Sequence, residues 1–202
     1  MLKKIIKVFT IVVVLMFAAV GVLAEQANLE QQDIANNVLR FHVLANSDSS
    51  EDQALKLDVR DAVINYVQGL GGTDLEDTKA KILAHLSDIE DVARKVVMDE
   101  GFNYDVSAKL ESTEFPTKQY GDISLPSGIY EALNVDIGAG AGHNWWCVIY
   151  PNICFVDTGA VLPDDSKAEL QGAISGDEYA LISGKRSLKF RILEWINDIK
   201  NK

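Results

Sequence analysis

The stretch Leu39-Arg40-Phe41-His42-Val43-Leu44-Ala45-Asn46-Ser47-Asp48 decides the fold. Leu39, Phe41 and Val43 alternate with Arg40, His42 and Leu44, so the run reads as a strand with one apolar face and one mixed face. Asn46 to Ser50 is turn and cap chemistry, and Ser50 with Gln53 fits a capping box that satisfies orphan helix N–H groups. Leu55, Val59, Ala62, Val63, Tyr66, Val67 and Leu70 then recur at helical spacing. Gly69, Gly71 and Gly72 end that helix, which is predicted over Ser50 to Leu70.

Downstream, a second helix is predicted from Thr73 or Asp74 to Gly101, with Leu75, Ile82, Leu86, Ile89, Ala93, Val96 and Val97 as its stripe. The short Gly-rich connection makes the two helices antiparallel neighbours. Strands are predicted over Tyr104 to Glu111, Ile129 to Ile137 and Asn144 to Tyr150, with Ile153 to Val156 pairing back as a hairpin. A loop runs from Phe115-Pro116 to Pro126-Ser127-Gly128. Asp157 to Gly184 reads as a flexible connection rich in Gly, Ser and Asp. Ser187 to Ile199 closes the chain as an amphipathic helix whose apolar face docks on the body or, with Lys185, Arg186, Lys189 and Arg191 near its start, lies on a membrane. The expected fold is a single α+β domain: a mostly antiparallel sheet, two antiparallel helices on one face, and the C-terminal amphipathic helix.

The N-terminus carries Lys3, Lys4 and Lys7, then an apolar run from Val8 to Leu23, then short residues at Val22-Leu23-Ala24. That three-part pattern is a secretory signal, with cleavage expected after Ala24 and an uncleaved anchor as the alternative. The organisation expected is a signal over 1–24, a polar linker or short helix over 25–37, a core over 38–158, and the connection and last helix over 159–202. The formal charge is -11; losing three lysines from 19 basic residues against 30 acidic ones leaves -14. A body so acidic repels phosphate backbones and anionic lipid, which excludes nucleic acid and general membrane adhesion as partner classes. Membrane contact is left to the N-terminal segment or the last helix. Cys147 and Cys154 are expected to bond across a small loop in an oxidising compartment. They fall opposite one another if Tyr150-Pro151 makes the turn and not if Pro151-Asn152 does.

No motif assembles a catalytic set. Asp157-Thr158-Gly159 matches the aspartic-protease signature, but that mechanism needs two aspartates and the chain has one copy. His143 and Cys147, four residues apart, are too distant along a strand for proton transfer, so a hydrolase at Asp157 or at Cys147 with His143 is the alternative reading. His42, His85 and His143 show no metal-ligand spacing, and Gly138 to Gly142 lacks the lysine and helix of a phosphate loop. No metal, cofactor or small-molecule substrate is expected, and the protein is read as a non-enzyme. Glu131, in phase with Ile129, Leu133 and Val135, needs a cation, with Arg40 or Arg60 as the expected partner.

The second distinctive block is Gly142-His143-Asn144-Trp145-Trp146-Cys147. Its two indoles point to opposite strand faces, so one serves the core and the other needs a helix, a loop or a partner to cover it. The contact candidates are Arg40, His42, Asn46, Ser47, Asp48, His143, Asn144, Trp145 and Trp146.

Taken with the strand-turn-helix block from Leu39 to Leu70, this run resembles the stage II sporulation protein R family over about Leu39 to Phe155. The resemblance implies a signalling protein secreted from the forespore into the space between the two sporulation membranes. Its partner there would be the membrane-embedded sigma-E-processing aspartic peptidase of the mother cell, which then cleaves pro-sigma-E during endospore formation.

Overall fold

The computed structural model describes residues 2–154, 162–184 and 195. Helix α1 (Leu2–Asn36) leads into strand β1 (Leu39–Leu44), followed by α2 (Ser50–Leu70), α3 (Leu75–Ala84) and α4 (Leu86–Asp99). Strands β2 (Val106–Phe115), β3 (Lys118–Tyr120), β4 (Ile123–Leu125), β5 (Gly128–Ile137) and β6 (Asn144–Tyr150) come next, then α5 (Asp164–Ala173) and α6 (Gly176–Ser183).

Local chemistry sets the boundaries. Ser49, one residue before the expected cap, accepts from the Asp52 N–H at 3.1 Å and starts α2. Gly71, at φ 63°, ends it in the left-handed conformation. Asp74 caps α3 by accepting from Asp77 N at 2.9 Å. The expected second helix is broken at His85 into α3 and α4.

β1, β2, β5 and β6 form one open sheet in the order β2-β5-β1-β6. β1 runs parallel to β5, pairing His42 with Asn134, and antiparallel to β6, pairing His42 with Trp146. β2 is antiparallel to β5, and β3 with β4 makes a separate hairpin.

The sheet is buried on both sides. Leu39, Phe41, Val43, Leu133, Val135 and Cys147 pack with Leu55, Val59 and Val63 of α2 and Ile89, Ala93 and Val97 of α4. On the opposite face Tyr130, Ala132 and Val148 meet Ala27 and Ile34 of α1, Ile123 and Leu125 of the hairpin, Leu170 of α5 and Ile182 of α6. A fully buried Leu, Ile or Phe contributes about 1.5–3 kcal/mol, so each layer supplies a substantial part of the stability.

This corrects the expected α+β arrangement of a mostly antiparallel sheet with two helices on one face. Helix exceeds strand, six helices occur among the described residues, helices cover both faces, and a parallel pair sits at the centre of the sheet. Three local readings account for the difference. Residues 25–36 continue α1 as a helix whose Ala27, Gln31 and Ile34 are buried at helical spacing. Within the stretch read as a flexible connection, α5 and α6 form, the latter closed by a Ser175/Glu178 capping box. The Phe115 to Gly128 loop holds the β3–β4 hairpin. The expected Ser187 to Ile199 helix lies outside the described residues apart from Trp195, which is helical and exposed.

Candidate functional site: a loop platform at the end of the parallel strands

β1 and β5 end side by side, and the loops that follow them are tied together. Ala141 N donates to Asn46 O at 3.2 Å and Gly142 N to Ala45 O at 2.9 Å. The Asn46 side chain works in both directions, its Oδ1 accepting from Ala139 N at 2.9 Å and its Nδ2 donating to Asp52 Oδ2 at 2.9 Å. Gly138, at φ 58°, has no room for a side chain here, since an added Cβ would lie 2.3 Å from Asn46 Oδ1.

Ser47 Oγ also donates to Asp52 Oδ2, and Gln53 Nε2 reaches Ser47 O at 2.9 Å. Hydrogen bonds from Ser47, then Asn46, hold the buried Asp52 carboxyl below its ordinary range. Across the platform, Asp48 Oδ1 accepts from His143 N at 2.6 Å and pairs with His143 Nδ1. That pair holds the Asp48 carboxyl low as well. Lys56 donates from α2 to His143 O at 3.0 Å, and burial pushes its ammonium pKa down.

The nine contact candidates therefore separate into distinct groups. Asp48, His143 and Asn144 are exposed and adjoin one another at the platform rim. Asn46 and Ser47 are half-buried and hold the loop from within. Arg40 and His42, expected as exposed contacts, are buried. A central strand covered on both faces has no solvent side, and that is why the mixed face misled.

Arg40 is fully enclosed. Its Nε donates to Cys147 O at 3.1 Å and its Nη2 to Tyr120 Oη at 2.8 Å. Its guanidinium carbon stands 4.2 Å from the Phe115 ring centre and 4.7 Å from that of Tyr130. His42 stacks on Trp146 at 4.1 Å with planes 4° apart. Phe115 meets Trp146 edge-on at 4.7 Å. Desolvation lowers the His42 pKa, against weaker opposing contributions from Asn144, Asp136 and Asn134. Trp145 points to the other face, where the Arg60 guanidinium lies 4.3 Å from its ring. Both indoles are half-buried, so each is covered mainly from within the chain.

Glu131 pairs with Lys79 at 2.7 Å rather than with Arg40 or Arg60. Lys79 lies on α3, which the sequence did not set against β5. Asp52, Gln53 and Lys56 were missed as platform residues. Their only sequence signal is their place in the first turns of α2, where Asp and Gln are ordinary helix-start residues.

The cysteines are bonded, Cys147 to Cys154, with Cα atoms 5.2 Å apart. Ile153 N reaches back to Val148 O at 3.4 Å, but Ile153 and Cys154 form no strand. Over Ile153 and Cys154 a bonded loop stands where the hairpin was expected, and Phe155 and Val156 lie outside the described residues. With Cys147 in a disulfide no thiol nucleophile stands near His143. No cluster of three or more metal-ligating side chains occurs among the described residues. Asp157, Thr158 and Gly159 lie outside them. The arrangement presents directional polar groups on a rigid loop support, which suits recognition.

The first half of α1 is long and apolar enough to cross a membrane, with a mean hydropathy of 2.7 over its most apolar window, and that window is not buried in the body. A helix of this kind is consistent with a secretion signal, and the disulfide-clipped domain after it with an exported protein. The sequence model of the family described as Stage II sporulation protein R (spore_II_R) matches residues 35–160. Stage II sporulation protein R of Bacillus subtilis (strain 168) is 32% identical, over 98% of this chain and 99% of its own length. The chain belongs to the stage II sporulation protein R family, and its role is signalling in sporulation. No solved structure matches it.

Proposed function

We propose that this protein is a ligand and not an enzyme: exported from the forespore into the space between the two sporulation membranes, it activates the membrane-embedded peptidase that processes pro-sigma-E. The observation that carries this reading is the end-to-end similarity to a stage II sporulation protein R, 32% identical over 98% of the chain. The structure supports it with an apolar leader helix on an acidic body and a rigid platform rimmed by Asp48, His143 and Asn144.

The mechanism is a population shift. A ligand with higher affinity for the peptidase's active assembly moves the equilibrium toward it by that difference alone, and a preordered surface wastes little of the binding energy on loop ordering. The Asn46–Asp52 and Asp48–His143 bonds supply that order.

The test is co-expression in a non-sporulating host of this chain, the peptidase and pro-sigma-E. Cleavage that needs both this chain and the peptidase's own catalytic aspartate is the expected result. Cleavage without the peptidase would make this chain the protease and overturn the reading.

A further inference from the structure

The two edges of the four-stranded sheet are finished differently. On β6 the outer carbonyls are occupied: Trp146 O accepts from Tyr120 Oη at 3.2 Å, and Val148 O accepts from Ile153 N at 3.4 Å. The Cys147–Cys154 bond fixes the covering loop there. β2 is the opposite edge. Its Ala108 N–H donates to the Glu90 carboxylate at 2.9 Å and so points away from β5. In an antiparallel pair the outward and inward backbone groups alternate. The N–H and C=O of Leu110, Ser112 and Glu114 therefore also face outward. Past Ala108 no side chain or backbone group among the described residues bonds them. Ser112 and Glu114 are exposed, and Leu110 is half-buried.

We propose that this open stretch of β2 is a docking edge for an extended segment of the membrane partner, added as a fifth strand, a proposal that rests on the reading above. Main-chain bonds to Leu110, Ser112 and Glu114 would supply affinity, and alternate side chains would supply specificity. The segment carries basic residues. Glu111, whose Oε1 accepts from Asn134 Nδ2 at 2.9 Å, and Glu114 are exposed on opposite faces of β2, in which Lys109 is the one basic residue, on a body of strongly negative charge. The same charge opposes a second copy of this chain as the occupant.

Ser112→Pro tests the edge, because it removes one outward N–H and leaves the β2–β5 ladder its donors. The full chain is co-expressed with the peptidase and pro-sigma-E, and its co-purification with the peptidase is measured. Thermal melting reports folding. The expected result is a folded Ser112→Pro variant with at least a tenfold loss of co-purification and of cleavage. Glu114→Lys, which keeps every backbone group, should lose several-fold. Hydrogen exchange at the Leu110, Ser112 and Glu114 amides should slow in the complex.

If Ser112→Pro fails to fold, Glu114→Lys and the exchange pattern decide. Cleavage and co-purification within twofold of wild type for the folded variants, or unchanged exchange at the three amides, would overturn the proposal. So would a wild-type dimer that Ser112→Pro dissolves, since the edge would then belong to a second copy. Wild-type chain that neither binds nor activates the peptidase removes the underlying reading and this partner with it.

Discussion

His42 shows how one residue's setting becomes a property of the protein. Its ring stacks on Trp146 with Phe115 edge-on beside them, and burial holds its pKa below the ordinary 6.5. The unfolded chain therefore takes up a proton at higher pH than the folded one. Stability from the neutral ring is complete above 6.5 and is lost as the pH falls from 6.5 toward the folded value. We expect the unfolding free energy to drop as the pH falls below 6.5 in urea melts, with a smaller drop in His42→Gln. Parallel pH curves for the two proteins would show that His42 is not the titrating group. Neither the burial of His42 nor that of Arg40 was legible. The same alternation, Leu39-Arg40-Phe41-His42-Val43, describes a strand with a wet face and one whose polar groups are enclosed by aromatic rings. What differs is Phe115 and Tyr130, which come from β2 and β5.

At the scale of elements, the strongly periodic segments were readable and the weakly patterned ones were not. α2 spans Ser50–Leu70 and β6 spans Asn144–Tyr150, as their patterns predict. Cap, stripe and terminating glycine all lie within the same local window, so α2 needs nothing distant to define it. α5 and α6 contribute few buried residues each, Ser166 and Leu170 in one and Glu178 and Ile182 in the other. Such short helices form because the sheet offers Leu170 and Ile182 a surface, and tertiary packing supplies most helical stability. The loop closed by Cys147 and Cys154 has a sequence separation of 7. A bond across so short a loop is worth about 2–3 kcal/mol through the entropy of the unfolded chain. Replacing both cysteines by serine should lower the unfolding free energy by about that amount in urea. Equal stability of the double variant would show that the bond stabilises nothing.

For the whole molecule, α1 is shared between two environments. Its first half is exposed and apolar, whereas Ala27, Gln31 and Ile34 are buried against the body. A chain lacking residues 2–24 should therefore melt within about 2 °C of the full-length protein. A chain lacking residues 2–36 also loses Ile34, whose burial alone is worth about 1.5–3 kcal/mol. It uncovers Tyr130 and Ala132 besides, so it should melt far lower or not fold. Equal melting of the two truncated chains would show that residues 25–36 are dispensable to the fold.

By itself the sequence determined the apolar leader, the acidic body, the strand-turn-helix from Leu39 to Leu70, the tryptophan strand and the cysteine pair. Each follows from composition, or from a period and cap contained in a few consecutive residues. Only the tertiary structure decided the parallel pairing of β1 with β5, the second helical layer, and the Lys79–Glu131 pair. It also decided the platform in which Asp48 meets His143. These are contacts between distant segments, chosen by which surfaces bury best together, and no single window of the chain contains both sides of them.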